Sequence, residues 1–284
     1  MNQKLTKSSR LPSLPPRWAE MFGEDRRGVC ASFECKGVKF FWRWIPPGRF
    51  LMGSPDEEKG RDDDEGPQHE VILSQGFWMG ETPVTQEQWE AVMGDNPSEF
   101  KGERRPVETV SWKDSQRFCE RMNDLVPGLR AQLPTEAQWE YACRAGSEGA
   151  YCDGSDCTEP VGKDPALEVL GWYGENSGNS SRAVKGKAGN AWGLFDVHGN
   201  VWEWCRDAWE DYVEGNQVDP FREGVDSALR VLRGGSWLDF AWYCRSAIRF
   251  GSRPGSGDGY VGVRLSAGQE ELESAEPSAA EQPQ

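Results

Sequence analysis

The sequence predicts a single α+β domain in which three helices sit among short strands and long loops. Two helix starts written in the same capping code, 33 glycines with 18 prolines, and 14 tryptophans in 284 residues carry that expectation. The caps place helices, and the glycines and prolines break the chain into turns. The tryptophans supply a core, since each buried indole removes roughly 150–250 Å² from water. Capped helices inserted among short strands suit an α+β arrangement. Residues 1–28 read as a proline-containing, poorly ordered arm, residues 29–266 as the domain, and residues 267–284 as a disordered acidic tail with five glutamates and no lysine or arginine.

Along the domain, Val29 opens an alternating, aromatic-rich stretch, CASFECKGVKFFWRWIPPGRFLMGS, that reads as strands with a turn at Pro46-Pro47-Gly48. Asp56 to Pro67 is an acidic loop without the aspartate spacing of an EF-hand, and it reads as solvated. In VTQEQWEAVMG, Thr85 caps a helix, Gln88 completes the box, and Val84 with Trp89 has the spacing of a hydrophobic staple. A second helix starts at Ser111 and turns Phe118, Cys119 and Met122 inward. In LPTEAQWEYACRAG, Thr135 and Gln138 repeat the box, and Gly146 stands just past the end. Glycine, asparagine, serine and aspartate then dominate to Asn190, which predicts loops. WGLFDVHGNVWEWCRDAW and RVLRGGSW follow as short strands around a tight Gly-Asn turn.

A formal charge of −15 opposes a nucleic-acid partner, which needs a basic face. No apolar run has the length of a membrane span and no signal peptide is visible, so the sequence reads as cytoplasmic and its eight cysteines as thiols. Cys30/Cys35 and Cys152/Cys157 have a four-residue spacer, where zinc knuckles usually use two. GSRPGSGDG lacks the Lys-Ser/Thr of a phosphate loop, and no nucleophile elbow appears.

Six segments in order, GRFLMGS, TPVTQEQWEAVMG, RPVETVSWKD, LPTEAQWEYACRAG, WGLFDVHGNVWEWC and RVLRGGSW with CRSAIR and VGVRL, resemble the formylglycine-generating enzyme family, also called the sulfatase-modifying-factor family. The likeness runs from about Trp42 to Ser266. It implies a C-type-lectin-like fold with little regular secondary structure and a ligand surface in its C-terminal part. The oxidase branch of that family holds Cu(I) on two thiolates, a soft pair for a soft ion. Here the first of those places is Asp239 and the second, five residues on, is Cys244. Half the copper site remains at best, and Cys205 reads as a packing residue rather than a substitute, so copper is not expected. The family's sulfoxide synthases use three histidines on iron. This chain has only His69 and His198, each read as an ordinary surface or turn residue. A family calcium site maps onto Asn200 and Glu203, of the hard oxygen type that calcium takes. The alternative is that Asn200 fills a left-handed turn and Glu203 pairs with an arginine. A second calcium region, Gly174 to Asn190, offers only Asn176.

The same fold and motifs also resemble the variable proteins of diversity-generating retroelements, whose C-terminal codons are randomised at adenines. An asparagine codon so altered cannot give Lys, Glu, Gln, Met or Trp. The first four are missing from Leu238 to Tyr260, and Trp242 is one adenine change from an arginine codon. Leu238, Asp239, Phe240, Tyr243, Ile248 and Phe250 are reachable, as are Ser252, Ser256, Asp258 and Tyr260. With Trp242 these are the candidate ligand-binding residues. Arg245, Ser246, Ala247, Arg249, Arg253, Pro254, Gly262 and Arg264 read as framework. The composition is that of a paratope, rigid aromatics with adaptable small polar residues. The competing reading puts Phe240, Trp242, Ile248 and Phe250 in the core of a strand, where period-2 alternation pairs Phe240 with Trp242 and Ile248 with Phe250. The functional expectation is a catalytically degenerate member that binds a protein or other macromolecule through residues 238–260. The alternative is a metal-dependent oxidase of the same family with an altered active site, with Cys244 as its residual catalytic candidate.

Overall fold

A computed structural model describes residues 15–268. Its strands in chain order are β1 (Met21–Asp25), β2 (Gly28–Cys35), β3 (Val38–Ile45), β4 (Gly48–Met52), β5 (His69–Leu73) and β6 (Phe77–Gly80). Then come the helices α1 (Gln86–Met93) and α2 (Trp112–Leu125), strand β7 (Ala131–Gln132), and helices α3 (Glu136–Arg144) and α4 (Leu167–Leu170). The C-terminal part holds β8 (Trp202–Ala208), β9 (Gln217–Val218), β10 (Arg230–Arg233), β11 (Arg249–Ser252), β12 (Val261–Gly262) and β13 (Ser266–Ala267).

The first three strands form an antiparallel meander because two residues suffice to turn β2 into β3. Lys36 and Gly37 both take positive φ, 51° and 81°, the turn whose twist matches that of the strands. Alternation then buries Phe33, Phe40, Trp42 and Trp44, which join Trp18 and Trp78 in an aromatic layer; Phe33 stacks on Phe40 at 5.1 Å. The six-stranded sheet runs β1-β2-β3-β6-β13-β7, so the end of the domain is inserted between β6 and β7. A three-stranded sheet, β4-β5-β9, and a four-stranded sheet, β11-β10-β8-β12, complete the framework.

Both domain limits need correction. Met21–Asp25 is a strand and Trp18 is core, so the fold begins inside the expected arm. The MFGED stretch hid this because its side chains are at most half-buried and alternate only weakly. At the other end Ala267 is fully buried in β13, so the expected tail starts beyond it. The rest of the arm, 1–14, and of the tail, 269–284, lies outside the described residues.

The three expected helices form, each closed by a complete capping box: Thr85 with Gln88, Ser111 with Asp114, and Thr135 with Gln138. Phe118, Cys119 and Met122 are buried on α2. Ala145, one residue before the expected Gly146, supplies the left-handed end of α3 at φ 47°. The one-turn helix α4 interrupts the predicted loop region.

Where the core meets the C-terminal segment it is ionic. Arg233, Arg245 and Arg264 are fully buried and Arg249 nearly so. Each holds a buried glutamate: Arg233 with Glu140, Arg245 with Glu65, Arg249 with Glu136, and Arg264 with Glu203. Buried pairs add little net stability, but removing one partner strands a charge. They therefore fix geometry: Arg245 ties the acidic loop, through Glu58 and Glu65, to the chain beyond β10. That loop is pinned, in contrast to the solvated loop expected.

Candidate functional site

The segment after β10 leaves the sheet because Gly234 and Gly235 take φ of 97° and 71°. A Cβ on Gly235 would lie 2.4 Å from the Tyr243 carbonyl and 2.7 Å from the Cys244 sulfur, so only glycine lets the loop fold back this closely. Ser236 then organises the turn: its hydroxyl donates to Asp239 Oδ2 and accepts from the Leu238 N–H. The Trp237 indole donates to the Gly259 carbonyl at 2.9 Å and meets Phe100 edge-on at 5.2 Å. The Trp202 indole donates to Asp239 Oδ2 at 2.9 Å. The backbone thus presents Leu238 and Phe240 outward, 54% and 46% exposed.

Ala241–Cys244 is a turn of 3-10 helix, so the strand alternation expected for Phe240 and Trp242 does not apply. Trp242 is half-buried against the acidic loop, where a Cβ on Gly60 would lie 2.8 Å from its own Cβ. Tyr243 is half-buried, as are Asp239, Ser252, Ser256 and Tyr260, while Asp258 is exposed. Ile248 is corrected from the candidate surface: it is 1% exposed and belongs to the core. β11 begins one residue later, at Arg249, and its alternation buries Arg249 and turns Phe250 out, 54% exposed, with its ring 6.0 Å from that of Trp202. Among the expected framework residues Arg253 is exposed, unlike the other three arginines. Trp202 thus joins two exposed stretches: its indole holds Asp239, which stands between Leu238 and Phe240, and its ring lies beside Phe250, while Trp237 packs on Phe100. Phe100 carried no signal in the sequence. Trp202 stood in a recognised motif, yet its bond to Asp239 spans 37 residues.

The metal expectations can be tested against the donors. Asn200 takes the left-handed turn at φ 65°; its Oδ1 accepts from the Arg182 N–H and its Nδ2 donates to the Arg182 carbonyl and Asp196. Both oxygens of Glu203 accept from Arg264, at 2.7 and 2.9 Å, and Oε2 also accepts from the Trp139 indole at 2.6 Å. Arg264 already takes both Glu203 oxygens and the Asn200 amide is spent on Arg182 and Asp196, so the donors present here do not fit calcium. Nor does Asp239 with Cys244 fit Cu(I). The thiol is fully buried and burial holds its pKa well above the ordinary value, while the partner is a hard carboxylate. Cys205 is likewise buried, in β8. Among the described residues all eight cysteines are free and buried.

His198 and His69 are interior residues, not surface ones. His198 Nδ1–H donates to the Cys244 carbonyl at 2.7 Å and its Nε2 accepts from the Cys152 N–H at 3.0 Å, a brace that only the neutral ring can make. Burial lowers its pKa to about 4. His69 bonds the Pro67 carbonyl and meets Tyr212 edge-on, in a small cleft also lined by Glu136, Asp207 and Arg249. Arg249 and the Tyr212 hydroxyl occupy Glu136 there.

These layers define a class: a mixed α+β fold of the C-type-lectin-like kind, with few helices and its C-terminal segment draped over a small sheet. Within that class the chain belongs to the sulfatase-modifying-factor enzyme family, whose "Sulfatase-modifying factor enzyme 1-like domain" profile matches residues 42–267. It is similar to the formylglycine-generating enzyme of Streptomyces coelicolor, 38% identical over 56% of this chain and 51% of that protein. Mouse formylglycine-generating enzyme is 29% identical over 70% and 53%. The chain thus spans about half the length of these enzymes. Among solved structures, Treponema denticola variable protein 1 superposes with a TM-score of 0.73 at 30% identity, covering 84% of this chain and 99% of that one. PvdO from Pseudomonas aeruginosa, at 24% identity and a TM-score of 0.70, shares the fold.

Proposed function

We propose that the chain is a non-catalytic binding protein that holds a protein partner against the face formed by Leu238, Asp239, Phe240 and Phe250. The observation that carries this reading is the exposure of three large apolar side chains, Leu238 and Phe240 on the loop after β10 and Phe250 on β11, beside a framework held by buried arginine–glutamate pairs. Apolar, aromatic side chains on a rigid frame are what binding hot spots use. The likeness to a variable protein over nearly all of that protein's length supports it, as does the carboxylate at the first thiolate position. We read the gene as one whose C-terminal codons diversify at adenines. A neighbouring reverse transcriptase, with a near-repeat of the 3′ coding segment differing only at adenines, is the genomic observation expected. Eight unpaired thiols suit a cytoplasmic setting.

The second reading, an oxidase with an altered site, is favoured by the identity to formylglycine-generating enzymes. Cu(I) titration followed by incubation with a Cys-x-Pro-x-Arg peptide in air separates the two. Binding no tighter than that of a Cys244→Ser variant, and an unmodified peptide, are expected. Conversion of the peptide cysteine to an aldehyde would overturn the binding reading.

A further inference from the structure

We propose that Asp239 and the rings around it form a recognition site for one cationic side chain, an arginine or lysine of the partner protein. This rests on the binding-surface reading and specifies what that surface takes. The framework glutamates, Glu65, Glu136, Glu140 and Glu203, each hold an arginine. Asp239 does not: among the described residues no cationic side chain pairs with it. Its fixed contacts are neutral donors, the Ser236 hydroxyl and the Trp202 indole on Oδ2. The two donors orient the carboxylate of a residue that is half-buried rather than sealed in the interior. A half-buried carboxylate without a counter-ion is an electrostatic demand that the chain leaves open.

The surroundings match that demand. Leu238 and Phe240 flank Asp239 and are about half exposed, and Phe250 extends the apolar wall beside Trp202. Aromatic faces attract cations, and a guanidinium is weakly enough hydrated to be taken from water into such a setting. The rim is acidic. Glu99, exposed, reaches to where a Cβ on Gly259 would lie 2.6 Å from its Oε2, and the Gly259 carbonyl receives the Trp237 indole. Glu175 is exposed and follows Gly174, whose N–H donates to the Asp239 carbonyl at 2.8 Å. Asp258 is exposed next to Gly259, and Arg253 is the exposed basic residue of the segment. With a formal charge of −15 on the whole chain, charge complementarity points to a basic segment rather than an acidic or purely apolar one.

The test selects peptides from a random display library on the full-length protein. Each selected peptide is then remade with citrulline, the neutral isostere, in place of arginine, or norleucine in place of lysine. Selected peptides are expected to carry a basic residue, and its neutral replacement to weaken binding about tenfold or more. Asp239→Asn is expected to abolish that difference, because both peptides then meet a neutral amide. The asparagine keeps an oxygen for Ser236 and Trp202, and an unchanged unfolding temperature checks its fold. Peptides that depend on Phe240 and Phe250 yet ignore both the neutral replacement and Asp239→Asn would overturn the cationic assignment and leave the binding surface standing. If no selected peptide is weakened by Phe240→Ser, both readings fall.

Discussion

At Asp239, burial lifts the carboxyl pKa above its ordinary 3.8, and the bonds from Ser236 and Trp202 offset only part of that. Ionising this carboxyl therefore costs more in the folded state than in the unfolded chain. Its contribution to stability is complete below about 3.8 and is lost as pH rises through the raised value. Asp239→Asn has no proton to lose. In urea unfolding it should be at least as stable as the parent at pH 7, with a margin that closes toward pH 4; a variant less stable at every pH would contradict this. The neighbouring positions sort by exposure. Ile248→Ala should cost about 2–5 kcal/mol as a core truncation, and Phe250→Ala under about 1 kcal/mol, as at surface positions. Trp242→Ala should fall between them. Residue types in this segment were legible in the sequence. The parity was not, because a 3-10 turn precedes β11 and shifts Ile248 and Phe250 onto opposite environments.

At the scale of elements, local signals were read well and distant ones were not. A capping box is complete within four residues, so α1 and α3 could be placed from the chain alone, and α2 followed from Ser111 and the inward Phe118, Cys119 and Met122. Replacing the Thr135 cap by alanine should lower stability by about 1 kcal/mol. By contrast, the loop from Asp56 to Pro67 looked solvated because its partner Arg245 lies 180 residues from Glu65. Charge composition says nothing about such a pairing. Arg245→Ala leaves Glu65 buried without its counter-ion, and a loss of about 3–5 kcal/mol is expected. A loss below about 1 kcal/mol in chemical unfolding would mean that the loop is not held in this way. The pinned loop in turn supports Trp242, which links the ionic framework to the candidate face.

For the whole molecule, buried acids and a buried histidine set opposing responses to pH. Asp207 is raised to about 7, by burial first and by the nearby Glu136 second, and burial raises Asp196 to about 6. Their contributions are present at acid pH and lost as pH rises from about 4 toward 7. His198, lowered to about 4, acts the other way: its contribution is present above about 6.5 and lost as pH falls toward 4. Asp207→Asn gives up one acceptor for the Glu136 and Arg222 N–H groups, yet its stability relative to the parent should improve steadily from pH 4 to pH 7. A constant difference across that range would contradict the assignment. The fold class and family were legible because six motifs lie in register along the chain. The domain limits were not, since no side chain of β1 is fully buried and β13 is two residues long.

The most direct test of a contact face built on a rigid scaffold is the triple variant Leu238→Ser, Phe240→Ser, Phe250→Ser, measured for unfolding temperature and for affinity toward a display-selected peptide. The account predicts a melting temperature within about 4 °C of the parent, a change near 1 kcal/mol for a domain of this size, with affinity reduced more than about tenfold. A melting temperature depressed far beyond that, or an affinity left unchanged, would contradict it.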